Sequence, residues 1–236
     1  MDLAIYILLG TLDIFVVSTF AFALYKQPYK EYLKELILAS VVISILSYIT
    51  RVIFKMPLVD SLIQFTTFIL IFRYVLVYRI KDSLKLAGTG FIYFVVSQLA
   101  IFKLFVFLGI GLETDAQSTS NFGTYLIQIS NQIWILFSAI IVKIFDYSFA
   151  SISRPPQWIR ANKKEPMGWY TVMLGIAVII CNVSIVVITK GINNVGIIII
   201  VGFVSFVFLL RLTYKRESSH DGMHSSKHSV LANKKK

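Results

Sequence analysis

The amino-acid sequence predicts an all-α polytopic transmembrane bundle of about seven helices, N-terminus outside and C-terminus cytoplasmic. Three observations carry this expectation. The chain is 57% hydrophobic and only 15% charged, with a mean hydropathy of +0.76, whereas soluble domains are about 45–50% apolar and about 25% charged. Its apolar residues fall into long runs separated by short polar stretches. Its basic residues gather in alternate stretches rather than evenly.

The first run, Leu3 to Tyr25, is read as a retained helix and not a cleaved signal. Asp2 stands where a signal would carry Lys or Arg, and no small-residue cleavage site follows. The second run is Leu36 to Phe54, ending beside Arg51 and Lys55. The third is Leu58 to Tyr78, with Arg73 near its end. The fourth, Leu84 to Leu112, is long enough to be tilted or kinked. The fifth is Phe122 to Phe145, the sixth starts after Pro166 and ends near Thr189, and the seventh is Val195 to Leu212. About 20 apolar residues suffice to cross a bilayer, so residues 1–214 form one helical bundle. Residues 215–236, rich in Ser, His and Lys, form a basic, disordered cytoplasmic tail.

Orientation follows from the excess of Lys and Arg on the cytoplasmic side of membrane proteins. With the N-terminus outside, 19 of the 23 basic residues fall inside. The stretch LETDAQSTSNF between the fourth and fifth runs has no Lys or Arg and suits the outer side. The net charge of +11 is then assigned to loops facing anionic lipid headgroups, with no nucleic-acid partner. The lone Cys181 lies within an apolar run as a packed core residue, and no metal site or cofactor is expected. His220, His224 and His228 sit in a solvated tail. No HExxH, GxSxG or P-loop pattern occurs, and no histidine lies within an apolar run, so the chain is not read as an enzyme.

Charges within the hydrocarbon are rare and costly, by roughly 2.5–3.5 kcal/mol on insertion scales. Two stand out, Asp13 in the first run and Lys103 in the fourth. Both lie roughly 15 Å below the outer end, at depths that permit them to pair. Gln128, Asn131 and Gln132 in the fifth run have the spacing i, i+3, i+4 that shares one helix face, at about the same level. Gln64 and Asn182 also lie toward the outer half. Asp13, Lys103, Gln128, Asn131 and Gln132 are therefore the candidate ligand-binding residues. The competing account is that they satisfy one another as interhelical hydrogen bonds. Arg51, Arg73 and Lys143 are expected to snorkel near helix ends. Asp146 is expected to pair with Lys143, and the glycines at both ends of the fourth run to permit close packing or a bend.

An outside N-terminus, short connections, a basic last loop and the basic exit FLLRLTYKRE, together with the helix-dense passage FTTFILIFRYVLVYRIKDSLKLAGTGFIYF, resemble the membrane sensor portion of Gram-positive peptide-pheromone receptor histidine kinases of the accessory-gene-regulator type. The resemblance covers about residues 1–216. It implies an extracellular peptide ligand at the outer loops and helix ends, a homo-oligomer, and a signal passed along the last helix. That family continues into a histidine-bearing dimerisation helix and an ATP-binding domain, which these residues do not supply. The expectation is therefore a non-catalytic signal-sensing or accessory subunit of the bacterial plasma membrane, working through a separate cytoplasmic signalling partner. The alternative is a small transport, peptide-export or self-immunity component, dependent on Asp13 or Lys103.

Overall fold

The computed structural model describes residues 3–110, 122–147 and 152, the side chains of residues 57 and 58 excepted. The described residues are helical, without strands: α1 (Leu3–Leu24), α2 (Leu33–Tyr48) continued by a π-helical turn (Ile49–Ile53), α3 (Pro57–Tyr74), α4 (Ile80–Phe107) and α5 (Phe122–Ile144). The expected sixth and seventh runs, Cys181 and the tail lie outside the described residues.

Four helices are long and apolar enough to cross a membrane: α1, α2 with its π turn, α4 and α5. These helices make the chain a multi-pass membrane protein. The exception is α3, expected as a span, whose 18 residues carry Asp60, Gln64 and Arg73. Lipid offers no partner to polar groups, and the structure meets this locally. Ser18, Thr19, Ser40, Thr89 and Ser138 each donate to the carbonyl four residues back, so their hydroxyls are satisfied within their own helix.

Each helix packs on the next, and α5 returns to α1 to close a ring. Across that ring α1 also packs on α4. Having three neighbours, α1 is apolar all round, the pattern of a helix buried on several sides. Val16, Val17, Phe20, Ala21, Phe22 and Leu24 all belong to the core. On the outer surface, Leu8, Leu38, Ile133, Phe137 and Ile144 stay exposed, the expected dress of a lipid-facing wall.

The α1–α4 contact depends on Gly90. A Cβ there would lie 2.9 Å from Val17 Cγ1 and 3.4 Å from Ala21 Cβ. The substitution Gly90→Val should force α4 off α1 and cost about 1–3 kcal/mol, the range for overpacking. Comparing thermal melts of the two proteins in the same detergent checks this.

Helix ends differ from expectation for identifiable reasons. Gly109 was assigned to close packing, but it stops α4. Its φ is +70°; its N–H donates to Val106 O and the Ile110 N–H to Phe105 O. This is the Schellman arrangement that satisfies the last carbonyls of a helix. The same pattern closes α1 at Lys26, and at the end of α5 Asp146 also has a positive φ while the Tyr147 N–H donates to Val142 O. The third run was expected to continue to Tyr78, but α3 ends at Tyr74. The chain reverses through Val77, whose φ of 57° is rare for a β-branched residue.

At this second end of the bundle, where α1, α3 and α5 finish, the polar groups are tied together. Gln27 is buried; its amide donates to Tyr25 O at 2.9 Å and Ile152 O at 3.2 Å, and its Oε1 accepts from the Tyr78 hydroxyl at 2.9 Å. Arg73, expected to snorkel, donates to Tyr78 O at 2.9 Å. Asp146 pairs with Lys26, at 3.1 Å, rather than with Lys143, which lies over the Tyr29 ring at 5.4 Å.

Candidate functional site

The polar residues of the first end, where α1 and α5 begin, form three groups. The first joins α1 to α5. Asp13 sits half-buried on α1, one turn beyond Leu9. Its Oδ2 accepts from Gln128 Nε2 and its Oδ1 from Gln132 Nε2 at 2.9 Å. Gln132 Nε2 also donates to Leu9 O at 3.1 Å. Gln128 and Gln132 are four apart on α5 and therefore lie on the same face. Two amides one turn apart thus hold one carboxylate, one on each oxygen.

The second group joins α5 to α4. Asn131 is fully buried, and its Oδ1 accepts from Ser97 Oγ at 2.7 Å. Its Nδ2 has no partner among the described residues. The face read from the i, i+3, i+4 spacing is therefore divided. Gln128 and Gln132 turn to α1, and Asn131 turns to α4. Two turns farther along the same helix pair, Tyr93 and Ser138 are hydrogen-bonded at 2.6 Å.

Lys103 does not join Asp13. Neither residue takes part in an ion pair among the described residues, and the Lys103 ammonium lies 5.9 Å from the ring of its neighbour Phe102. Equal depth put the two charges at one level, but depth says nothing about which faces of α1 and α4 meet. Those helices meet at Val17, Ala21 and Gly90, well below Lys103.

The third group was read only in part in the sequence, where Gln64 was placed toward the outer half and its partners were not singled out. It centres on Asp60, in the first turn of α3 and 2% exposed. Thr50 Oγ1 donates to Asp60 Oδ1 at 2.7 Å; Ser47 Oγ and Gln64 Nε2 reach Oδ2 at 3.2 and 2.9 Å. Gln64 also donates to Ser47 Oγ, at 2.9 Å, and Tyr6 on α1 is hydrogen-bonded to the same oxygen at 3.0 Å. Asp60 stands in the first turn of α3, where a carboxylate suits the positive end of the dipole, so its acidity alone does not mark it as buried. The usable signal was the spacing of Asp60 and Gln64, which puts both on the face carrying Phe68 and Phe72 into the core.

Arg51, in the π turn, is exposed. The described residues hold no group of three or more His, Cys, Asp or Glu side chains. At this end two carboxylates, Asp13 and Asp60, each accept hydrogen bonds from neutral donors. No family model, no curated protein and no solved structure matches the chain.

Proposed function

We propose that this chain is a seven-span, non-catalytic sensing or accessory subunit of a bacterial plasma membrane, N-terminus outside, acting through a separate cytoplasmic signalling partner. The observation that carries the reading is the Asp13 clamp, in which two glutamine amides of α5 hold a half-buried carboxylate of α1. An amide bound to a carboxylate is exchangeable for another N–H donor of similar geometry. A peptide backbone or an ammonium group supplies such donors, and an ammonium adds a charge-assisted bond. Such a ligand displaces Gln128 or Gln132 and alters the seating of α1 on α5. The same two helices are tied at the second end through Lys26–Asp146 and Gln27–Ile152. A shift at the first end therefore reaches the residues that follow α5.

The orientation is checked with single cysteines in a Cys181→Ser background. A cysteine at Phe54 should react with an impermeant maleimide in intact cells. One at Lys30 should react only after permeabilisation. The reverse pattern would invert the bundle and put the Asp13 site on the cytoplasmic side.

The sensing role is tested by in-cell cross-linking, gentle native purification and mass spectrometry of the attached proteins. A histidine kinase or response regulator is the expected partner, with a response to external ligand lost in Asp13→Ala. Capture of a transport ATPase or a secreted-peptide precursor would transfer the protein to the export or immunity class. Solute flux through a lone homo-oligomer, dependent on Asp13, would make it a transporter.

A further inference from the structure

The turn joining α3 to α4 plays no part in the Asp13 clamp, and its side chains set it apart. Leu76 and Tyr78 are buried in the core, whereas Tyr74, Val75, Val77 and Ile80 around them are exposed. A turn that displays apolar side chains suits a lipid surface better than water. Its depth agrees. α3 has 18 residues, about 27 Å at 1.5 Å per residue, close to the roughly 30 Å of hydrocarbon in a bilayer. Its charged side chains are Asp60 in the first turn and Arg73 in the last, so the turn that follows begins at the headgroup level. Residues 73–81 include three basic side chains, Arg73, Arg79 and Lys81, and no acidic one. The next acid along the chain, Asp82, is buried and pairs with Lys85 at 3.8 Å. Arg73 is fixed at the turn: its Nη1 donates to Tyr78 O at 2.9 Å, and its Cζ lies 6.0 Å from the centre of the Tyr74 ring. Arg79 and Lys81 are half-buried, as long basic side chains are when their stems lie on apolar surface.

We infer that the α3–α4 turn is a binding site for the headgroup of an anionic phospholipid. Two guanidinium groups and an ammonium fall in one short stretch of chain, and guanidinium matches phosphate oxygens in a two-pronged geometry. The exposed Val75, Val77 and Ile80 lie beside the lipid's glycerol and the start of its acyl chains. A zwitterionic lipid offers the same phosphate, but its own ammonium offsets the charge, so three basic residues without a neighbouring acid favour a headgroup of net negative charge. Tyr74 adds a ring whose polar tip belongs at the membrane–water boundary. This inference stands apart from the sensing reading, because the turn lies at the second end of the bundle and the Asp13 clamp at the first. It holds for either orientation of the chain.

The test uses the purified full chain in lipid nanodiscs, with a bimane fluorophore on Val75→Cys in a Cys181→Ser background. Quenching is compared for phosphatidylglycerol and phosphatidylcholine that carry a nitroxide next to the headgroup. We expect phosphatidylglycerol to quench at an about twentyfold lower share of the bilayer, since each basic residue near the surface is worth about fivefold in anionic-lipid binding. Arg79→Gln and Lys81→Gln should each shrink that preference about fivefold, and the double substitution should abolish it. Lys81→Gln alone keeps the test informative if Arg79→Gln does not fold. Lys30→Gln, at the same end but between α1 and α2, should leave the preference unchanged. Inorganic phosphate in the buffer should not compete. Equal quenching by the two lipids, quenching by neither, or a preference that survives the double substitution would overturn the assignment. Displacement by inorganic phosphate would overturn it too, by making the turn a site for a soluble anion.

Discussion

Replacing Tyr78 by alanine is expected to cost about 3–5 kcal/mol, the range for removing a buried aromatic side chain. Tyr78 is completely buried and touches the rings of Phe22, Phe72 and Tyr32. Its hydroxyl donates to Gln27, and its carbonyl accepts from Arg73. It also follows Val77, held in a left-handed conformation that costs of order 1–3 kcal/mol for a non-glycine residue. Losing the ring therefore leaves a cavity and removes the packing that holds the turn in that conformation. Tyr78→Phe keeps the ring and forfeits only the hydroxyl bond, about 1 kcal/mol. Val77→Gly, which relieves the backbone, should recover part of the alanine loss when the two are combined. Reversible unfolding in mixed micelles measures all three. Equal losses for Tyr78→Phe and Tyr78→Ala would show that the Gln27 bond, and not packing, governs this end.

Asp13→Ala is expected to cost about 2–3 kcal/mol, because it leaves the Gln128 and Gln132 amides without their acceptor inside the bundle. The informative experiment is a pair of double-mutant cycles. Asp13 and Gln132 should show a coupling of about 1–2 kcal/mol, at the upper end for hydrogen bonds between membrane helices. Asp13 and Lys103 should be additive to within about 0.5 kcal/mol, as befits residues without a shared contact. A large Asp13–Lys103 coupling would restore the intramembrane ion pair that equal depth permits and would remove the clamp on which the sensing proposal rests.

The contrast between those two cycles marks what a sequence of this kind makes legible. Helix existence is written in composition, so α1, α2, α4 and α5 are found with small errors at their ends. The polar spacing on α5 is also legible, because 3.6 residues per turn places Gln128 and Gln132 together. Which neighbour that face meets is not, since the rotation of each helix is set by packing. Gly90 against Val17 and Ala21 fixes how α4 sits on α1, and that contact turns Lys103 away from Asp13. Asp60 was missed for a related reason. Its acidity at a helix start has a local explanation, whereas its burial comes from α1 and the π turn after α2. Four consecutive residues of that turn are Ile49, Thr50, Arg51 and Val52, with nothing in their apolar texture to announce a widened helix.

The clamp also has a consequence for biosynthesis. Asp13 and Gln128 are separated by 115 positions. A ribosome adding about 5–20 residues per second therefore needs roughly 6–23 s to deliver the amides after the carboxylate has been made. During that interval α1 has only α2, and later α4, against its sides, and the acid faces lipid, the insertion machinery or a partner protein. The nascent bundle becomes self-sufficient at this position only when its fifth helix arrives. A chain interrupted before that point carries an intramembrane carboxylate without its amides, the kind of defect by which membrane quality control can tell unfinished chains from finished ones.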